Sequence, residues 1–248
     1  MAEQDAKPTT GGSEAARERA RGLVGRVISE RYRIVELVAM GGMGAVYRGV
    51  HLHMRKEVAI KILHPEIENF PELVARFERE AVAGAHVRDP HVAAASDLGK
   101  FDGESFFLVM EFIRGRTLRA HLDEGRMPWQ RAARIARQLA QALGAAHKHG
   151  IVHRDVKPRN VMLVEAEGGG DFVKLIDFGF ARVPVAELSR ASLVDASAVS
   201  SVTEAGVVFG TVGYMAPETA LGMRAVDARS DLYALGVILY EMLAGAQP

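Results

Sequence analysis

Residues 153–160, with the sequence His-Arg-Asp-Val-Lys-Pro-Arg-Asn, carry the densest chemistry in the chain. These eight positions offer a carboxylate, two guanidiniums, an ammonium, an imidazole and a carboxamide, and apolar residues flank them at 151–152 and 161–163. Pro158 excludes a helix interior, so the pattern predicts a short polar loop held between two buried anchors. Catalytic groups tend to lie on such loops, although a charged turn exposed to solvent would have the same composition.

Lys61 is a second candidate, because it interrupts an otherwise apolar strand at residues 58–63. An inward-pointing lysine on a buried strand needs an anionic partner; the alternative is a lysine on an edge strand that faces water. Residues 66–87 have apolar side chains at helical spacing and offer three acids as partners: Glu72, Glu78 and Glu80. A third candidate is Asp177, which directly follows the apolar strand at residues 172–176 and opens the sequence Asp-Phe-Gly.

The elements before Lys61 form a predicted β-hairpin with a glycine-rich turn. One strand starts at Tyr32, the turn covers residues 41–44 (Gly-Gly-Met-Gly), and the next strand covers residues 45–50. The backbone N–H groups of such a turn can lie over phosphate groups. Glycine turns are common in hairpins, so this feature alone is a weak indication of phosphate binding.

The rest of the chain is predicted to be mainly helical. An apolar strand at residues 106–113 ends at Arg114-Gly115, the expected boundary between two lobes, and a helix covers residues 129–149 with Gly150 as its C-cap. Residues 189–208 are polar and small without periodicity, which is typical of a functional or disordered loop. A final apolar helix is predicted at residues 231–243.

Composition excludes several classes of protein. The 248-residue chain has 31 Lys+Arg and 31 Asp+Glu, so its charge does not indicate nucleic acid or an anionic membrane as a partner. The absence of Cys excludes disulfides, a Cys-ligated zinc site and a thiol nucleophile, and it fits a cytoplasmic location. Residues 1–12 are polar and do not form a secretory signal. The apolar run at residues 232–243 is interrupted by Glu241 and is shorter than the roughly 20 residues of a transmembrane helix, so we expect no membrane segment.

Taken together and in order, five motifs resemble those of the eukaryotic-like (Hanks-type) bacterial serine/threonine protein kinases. The resemblance covers about residues 30–248. The motifs are the glycine-rich turn with the following Val46, the strand around Lys61, residues 153–160, Asp177-Phe178-Gly179, and Ala216-Pro217-Glu218.

This resemblance implies an α+β, protein-kinase-like fold with two lobes. The smaller lobe, residues 29–113, is expected to be an antiparallel β-sheet with one helix, and the larger lobe, residues 114–248, to be mainly helical. Residues 1–28 are expected to be disordered or loosely helical. We also expect the larger lobe to be incomplete after its central helix, with part of that helix uncovered and the stability of the chain low.

The resemblance further implies ATP and Mg²⁺ as cofactors and roles for individual residues in phosphoryl transfer. Lys61, oriented by Glu80, is expected to hold the α- and β-phosphates. Asp155 is expected to orient the substrate hydroxyl, and Lys157 to steady the γ-phosphate. The expected metal ligands are Asn160 and Asp177.

The expected nucleotide contacts come from both lobes. Glu111 and Ile113 would offer backbone groups to adenine, and Met110 would limit the depth of the slot that holds the nucleotide. In full, the expected nucleotide-contact residues are Val38, Gly41, Gly44, Val46, Ala59, Lys61, Met110, Glu111, Ile113 and Met162.

Regulation by phosphorylation is another implication of the resemblance. Arg154 and Arg182 would form a cationic pocket for a phosphate on Thr203, with neighbouring serines as substitutes. Thr211 is expected to hydrogen-bond the catalytic loop and to favour Ser/Thr substrates. The implied partners are protein substrates with Ser/Thr hydroxyls and, for autophosphorylation, a second copy of the kinase.

Three functions compete on the sequence alone. The favoured one is a non-specific serine/threonine protein kinase that transfers the γ-phosphate of ATP to protein hydroxyls. The second is a non-catalytic nucleotide-binding or scaffold module, favoured by the expected incompleteness of the larger lobe. The third is a small-molecule phosphotransferase, which Asp231 and the motif at residues 216–218 disfavour. One departure from the family pattern is Ala39, in place of the usual first glycine of the turn.

Overall fold

The computed structural model describes residues 11–41, 44–65, 70, 74, 78, 81, 85–102, 105–177, 213–221 and 226–248. Within these residues the larger sheet is six-stranded and antiparallel, in the order β1-β2-β3-β4-β6-β5. Its strands are β1 (Val27–Ile28), β2 (Tyr32–Gly41), β3 (Gly44–His51), β4 (Lys56–Leu63), β5 (Ala95–Phe101) and β6 (Ser105–Glu111). Strand β4 lies between β3 and β6, so both of its edges are paired.

One face of this sheet is covered by the N-terminal segment. Helix α1 (Gly11–Gly22) packs there through the buried Ala20, whose carbonyl accepts a 3.0 Å hydrogen bond from the Tyr47 hydroxyl. Strand β1 follows and pairs with β2. The sequence predicted disorder or a loose helix for residues 1–28; the structure has a helix at residues 11–22 and strand β1 at residues 27–28, and residues 1–10 lie outside the described part. The reason is tertiary: a polar, alanine-rich helix gains its stability from the sheet, and composition does not report that contact.

The other face of the sheet is joined to the helical part of the chain. Leu63, Leu108 and Met110 belong to one buried cluster that continues into the following helices, and Ala59 packs against it. The later elements are β7 (Arg116–Thr117), α2 (Leu118–Leu122), α3 (Trp129–His147), β8 (Val161–Glu165), β9 (Asp171–Leu175) and α4 (Ala228–Ala244). Strands β7, β8 and β9 form a second, three-stranded sheet. An antiparallel sheet followed by a mainly helical part confirms the predicted α+β fold.

Helices α3 and α4 follow the sequence pattern with shifted ends. On α3 the predicted apolar positions are buried, namely Ile135, Leu139, Ala142, Leu143 and Ala146. The helix ends at His147, slightly before the predicted residue 149. Helix α4 starts earlier than the predicted residue 231, because the Asp227 side chain accepts a hydrogen bond from the Arg229 N–H and caps it. Gly245, with a φ of 81°, closes its other end.

Helix α4 has both a buried and an exposed apolar side. Leu232, Tyr233, Tyr240 and Leu243 are exposed, whereas Val237 and Ile238 are buried. Of the helices in the described part of the chain, none is both long enough and apolar enough to cross a membrane.

The segment between β4 and β5 is described only in part. Val74, Glu78, Ala81 and Ala85 are helical, in agreement with the helix predicted at residues 66–87. Val74 and Ala81 are buried in the cluster below the sheet.

Candidate active site

A buried carboxylate on α4 holds the backbone of the loop at residues 153–160. Asp231, which is 1% exposed, accepts hydrogen bonds from the backbone N–H of His153 at 2.8 Å and of Arg154 at 2.9 Å. His147 at the end of α3 places its Nε2 2.8 Å from the same carboxylate. Arg154 has a φ of 63°, a left-handed conformation that costs a non-glycine residue about 1–3 kcal/mol. The two charge-assisted hydrogen bonds to Asp231 offset that strain.

The loop is also joined to the segment that follows β9. The buried His153 ring places Nε2 3.1 Å from the Ile176 carbonyl, and its Nδ1 accepts from the Asp155 N–H at 3.3 Å. These two contacts require the neutral tautomer with the proton on Nε2, because a carbonyl oxygen can only accept. Ile176 in turn donates its N–H to the Asn160 carbonyl at 2.9 Å. Asp177, the next residue, is therefore held beside the loop.

Asp155 and Lys157 form an ion pair within the loop. The Lys157 ammonium lies 2.8 Å from Asp155 Oδ2, and both side chains are about one fifth exposed. Asn160 donates from Nδ2 to the Asp155 carbonyl at 2.8 Å and to Oδ2 at 3.2 Å. A carboxylate oriented in this way can accept the proton of an approaching hydroxyl, with a cation next to it to neutralise charge.

Lys61 points inward and reaches Asp177. Its ammonium donates a 2.7 Å hydrogen bond to Asp177 Oδ1, and the two side chains are 12% and 30% exposed. The alternative of a water-facing edge lysine is excluded, since β4 is paired on both sides. Burial acts to raise the pKa of the Asp177 carboxyl, but the charge of Lys61 and its hydrogen bond outweigh burial, and the pKa lies below its ordinary value. Asp177 is thus kept ionised.

Four of the predicted nucleotide-contact residues share one face of the larger sheet, namely Val46, Ala59, Lys61 and Met110. In the strand register Val46 is opposite Lys61, and Ala59 is opposite Met110. Val46, Ala59 and Lys61 are half-buried, and Met110 is buried. Of the other predicted contacts, Glu111, Ile113 and Met162 are half-buried and Gly41 is exposed. Val38 is 54% exposed, at an irregularity of β2 between Leu37 and Ala39.

Gly44 has a structural requirement that the motif alone does not express. A Cβ at this position would lie 2.2 Å from the Ile62 carbonyl oxygen on β4, so only glycine permits this approach of β3 to β4. Gly41 differs, because a Cβ there would meet only the Gly44 carbonyl oxygen, at 3.8 Å.

The predicted metal ligands fit a hard cation. Asp177 supplies a carboxylate, and Asn160, whose NH₂ group is turned toward Asp155, has Oδ1 as its ligating oxygen. Oxygen donors of this kind suit Mg²⁺, which takes few protein ligands and completes its shell with phosphates and water. The described residues contain no group of three or more His, Asp or Glu arranged to hold a metal.

Several predicted residues lie outside the described part of the chain. They are Glu80, Arg182, Thr203 and Thr211. The orientation of Lys61 by Glu80 and the phosphate pocket of Arg154 with Arg182 therefore stay predictions.

Two buried carboxylates of α4 carry no motif that assigns them to the site. Besides Asp231, the buried Glu241 accepts from the Arg119 guanidinium at 2.7 Å and from the Tyr214 hydroxyl at 2.5 Å. Burial and the hydrogen bond to Glu241 raise the pKa of Tyr214 to about 12. A signal for both was present, because a lone acid in an apolar helix needs partners if it is buried.

Comparison with known proteins agrees with this geometry. The family model of the protein kinase domain matches residues 32–248. The chain is 41% identical over 222 residues to the serine/threonine-protein kinase pkn2 of Myxococcus xanthus, covering 90% of this chain and 25% of the relative. It is 39% identical over 226 residues to the serine/threonine-protein kinase PknB of Mycolicibacterium smegmatis, covering 89% and 33% of the two chains. The chain thus spans well under half the length of the curated relatives it matches.

Among solved structures, the kinase domain of Mycobacterium tuberculosis PknI is similar to this chain with a TM-score of 0.68 and 29% identity. The similarity covers 90% of this chain and 78% of that domain. With matches in family model, sequence and structure over most of its length, the chain belongs to the protein kinase domain family, in its bacterial Hanks-type branch.

Proposed function

We propose that the chain is the catalytic domain of a serine/threonine protein kinase, which transfers the γ-phosphate of ATP to hydroxyl groups of protein substrates. One observation carries the proposal: the Lys61–Asp177 ion pair lies next to the Asp155–Lys157 ion pair, with the two joined through the Ile176–Asn160 hydrogen bond. This arrangement combines a phosphate-binding cation, a candidate metal ligand and an acceptor for the substrate proton. Membership of the family supports it.

The proposed mechanism divides the work among these groups. Asp155 accepts the proton of the attacking hydroxyl and holds its oxygen toward the γ-phosphate. Lys157 balances charge on the transferred group, and Lys61 contacts the α- and β-phosphates. Asn160 and Asp177 would hold Mg²⁺, which would neutralise part of the charge on the phosphates. The chain's part in catalysis is therefore positioning and electrostatics.

A pocket of about 20 Å³ lies beside Asp155, which is room for a water molecule rather than for a peptide segment. Its lining includes Arg154, Tyr214, Met215 and Thr219. The preference for Ser/Thr, which the resemblance assigns to Thr211, is part of the proposal and is supported by the named activity of the bacterial relatives.

The proposal also keeps the predictions that concern the whole protein. These are two lobes at residues 29–113 and 114–248, activation by a phosphate on Thr203 bound by Arg154 and Arg182, self-association for autophosphorylation, and a cytoplasmic location. Each is supported only by the sequence and the family resemblance.

The test combines nucleotide binding with phosphoryl transfer. The chain is incubated with γ-labelled ATP, Mg²⁺ and a general protein substrate such as casein, and calorimetry measures ATP binding separately. We expect transfer to Ser and Thr, with a loss of about 10²- to 10⁴-fold for Asp155→Asn. Asp102→Asn is the matched control, since Asp102 is exposed and pairs with Arg26 on the surface.

The outcomes separate the three candidate functions. ATP binding without transfer to any acceptor would favour a non-catalytic module, and transfer to small molecules alone would favour a small-molecule phosphotransferase. The comparisons do not support the non-catalytic alternative, because the named relatives are kinases.

A further inference from the structure

Glu111 is shared between the two sheets. Its backbone belongs to the six-stranded sheet, where it is opposite Val58 in the register of β4 and β6. Its side chain reaches the three-stranded sheet, because the Lys174 ammonium on β9 donates a 2.8 Å hydrogen bond to Glu111 Oε2. Glu111 therefore connects the two sheets.

Lys174 also borders the proposed nucleotide slot. In the register of β8 and β9 it is directly opposite Met162, so the two side chains lie on the same face of that sheet. Both Met162 and the backbone of Glu111 are predicted contacts of adenine, and we take Met162 as the floor of the slot and the Glu111 backbone as its wall. Lys174 thus links the floor of the slot to its wall.

A second ion pair, between Arg114 and Glu57, lies close by in the segment from Glu111 to Gly115, which we call the linker. The Lys174–Glu111 pair is shielded from solvent more than this second pair. The two side chains are 15% and 32% exposed. Arg114, by contrast, is 78% exposed and pairs with Glu57 on β4 at 2.6 Å. Water and salt screen an exposed pair, which then contributes little. Of these two ion pairs, the Lys174–Glu111 pair therefore contributes more to holding the linker in place.

We propose that Lys174 is a positioning residue for the nucleotide, whose ion pair with Glu111 sets the width of the slot between Ala59 and Met162. The inference rests on the proposed kinase function. Without the pair, the linker samples positions in which adenine does not contact both sheets, and only the remaining fraction of molecules is competent to bind. Loss of the pair therefore weakens nucleotide affinity and leaves the catalytic loop in place.

The experiment measures binding of Mg·ATP by calorimetry to the 248-residue chain and its variants. For Lys174→Met we expect the dissociation constant to rise about three- to tenfold, as for the loss of a partly shielded ion pair. Lys174→Arg keeps the charge and is expected to stay within about twofold of wild type. The matched control is Lys100→Met, an exposed lysine on β5 that lies over the Phe106 ring, 4.2 Å from its centroid.

Kinetics separate positioning from a role in stability alone. The KM for ATP should rise by the same factor as the dissociation constant, while kcat and the KM for the protein substrate stay within about twofold. A lowered melting temperature with unchanged Mg·ATP affinity would show that Lys174 only stabilises the fold and would overturn the inference. If wild type does not bind Mg·ATP, the proposed function fails as well; if wild type binds and Lys174→Met binds equally, this inference alone fails.

A second variant removes the pair from the other side. Glu111→Gln keeps the backbone of the linker and should weaken Mg·ATP binding by a similar factor. The double variant with Lys174→Met should then be no weaker than either single variant, because both remove the same interaction. Fully additive effects would contradict the inference. If Lys174→Met fails to fold, Glu111→Gln alone still tests the inference, and an unchanged Mg·ATP affinity of this variant would overturn it.

Discussion

Replacing Asp231 by Asn tests how the loop at residues 153–160 is held. The substitution keeps the shape of the side chain and one acceptor oxygen, but it turns an NH₂ group toward a donor. In the native structure the two carboxylate oxygens accept from the backbone N–H groups of His153 and Arg154, at 2.8 and 2.9 Å. With Asn, one of these N–H groups must face a second donor.

The size of the effect follows from that mismatch. A hydrogen bond to a charged acceptor contributes about 1.5–3 kcal/mol, and an unsatisfied buried donor costs about 1–3 kcal/mol. We therefore expect Asp231→Asn to lower the free energy of unfolding by about 2–4 kcal/mol. For a chain of this size that corresponds to a fall in melting temperature of roughly 5–15 °C. Release of the left-handed Arg154 should also displace the loop and lower kcat by about tenfold or more.

Thermal unfolding followed by circular dichroism and steady-state kinetics measure both effects. The matched control is Asp123→Asn, whose carboxylate is 65% exposed and should contribute less than about 0.5 kcal/mol. If Asp231→Asn has the melting temperature and kcat of this control, Asp231 does not hold the loop and the reasoning is refuted.

Three further predictions concern Gly44 in the glycine turn, the stability of the chain at acid pH, and the hydrogen bond from Tyr214 to α4. Gly44→Ala should lower the melting temperature and weaken Mg·ATP binding, because its Cβ would lie 2.2 Å from a β4 carbonyl oxygen; calorimetry that shows neither change would contradict this. The pKa of Asp177 is lowered in the folded state, so its ionised form adds stability above its ordinary pKa of about 4 and loses it as pH falls through the folded value. Urea titrations should therefore show a stability difference between wild type and Lys61→Met at pH 7 that shrinks in acid; a difference independent of pH would contradict this assignment. Tyr214→Phe removes the hydroxyl bound to Glu241 and should destabilise the chain by about 1–3 kcal/mol, measured by the same titrations, and an unchanged midpoint would argue against a structural role for this bond.

Sequence motifs indicated the candidate catalytic residues more directly than the residues that support them. The role of residues 153–160 could be predicted because their charged and polar side chains lie within eight consecutive positions, so no long-range pairing has to be known. The environment of Lys61 could not be decided in the same way, since whether β4 is an edge or a central strand depends on pairing with β6, which follows much later in the chain. The same holds for Asp231, whose partners on the loop are 77 and 78 positions away.

Two other features were outside the reach of composition. The polar sequence of α1 predicted disorder or a loose helix, and the contacts that hold the helix, among them the hydrogen bond from Tyr47 and the burial of Ala20, are with a distant part of the chain. Lys174 reads as an ordinary polar residue of a strand, and only the register of β8 and β9 with the reach to Glu111 gives it a position at the slot. Long-range pairing, rather than local propensity, decides such cases.

The continuous buried cluster has a consequence for attempts to divide the protein. It runs from Leu63 and Met110 in the larger sheet to Leu118 and Val161 beyond the linker. Two fragments produced by cutting at residues 114–115 would each present an apolar surface that the other normally covers. We therefore expect neither fragment to fold stably alone. Mixed together, the two fragments should suit split-protein complementation, in which each half becomes ordered on binding the other.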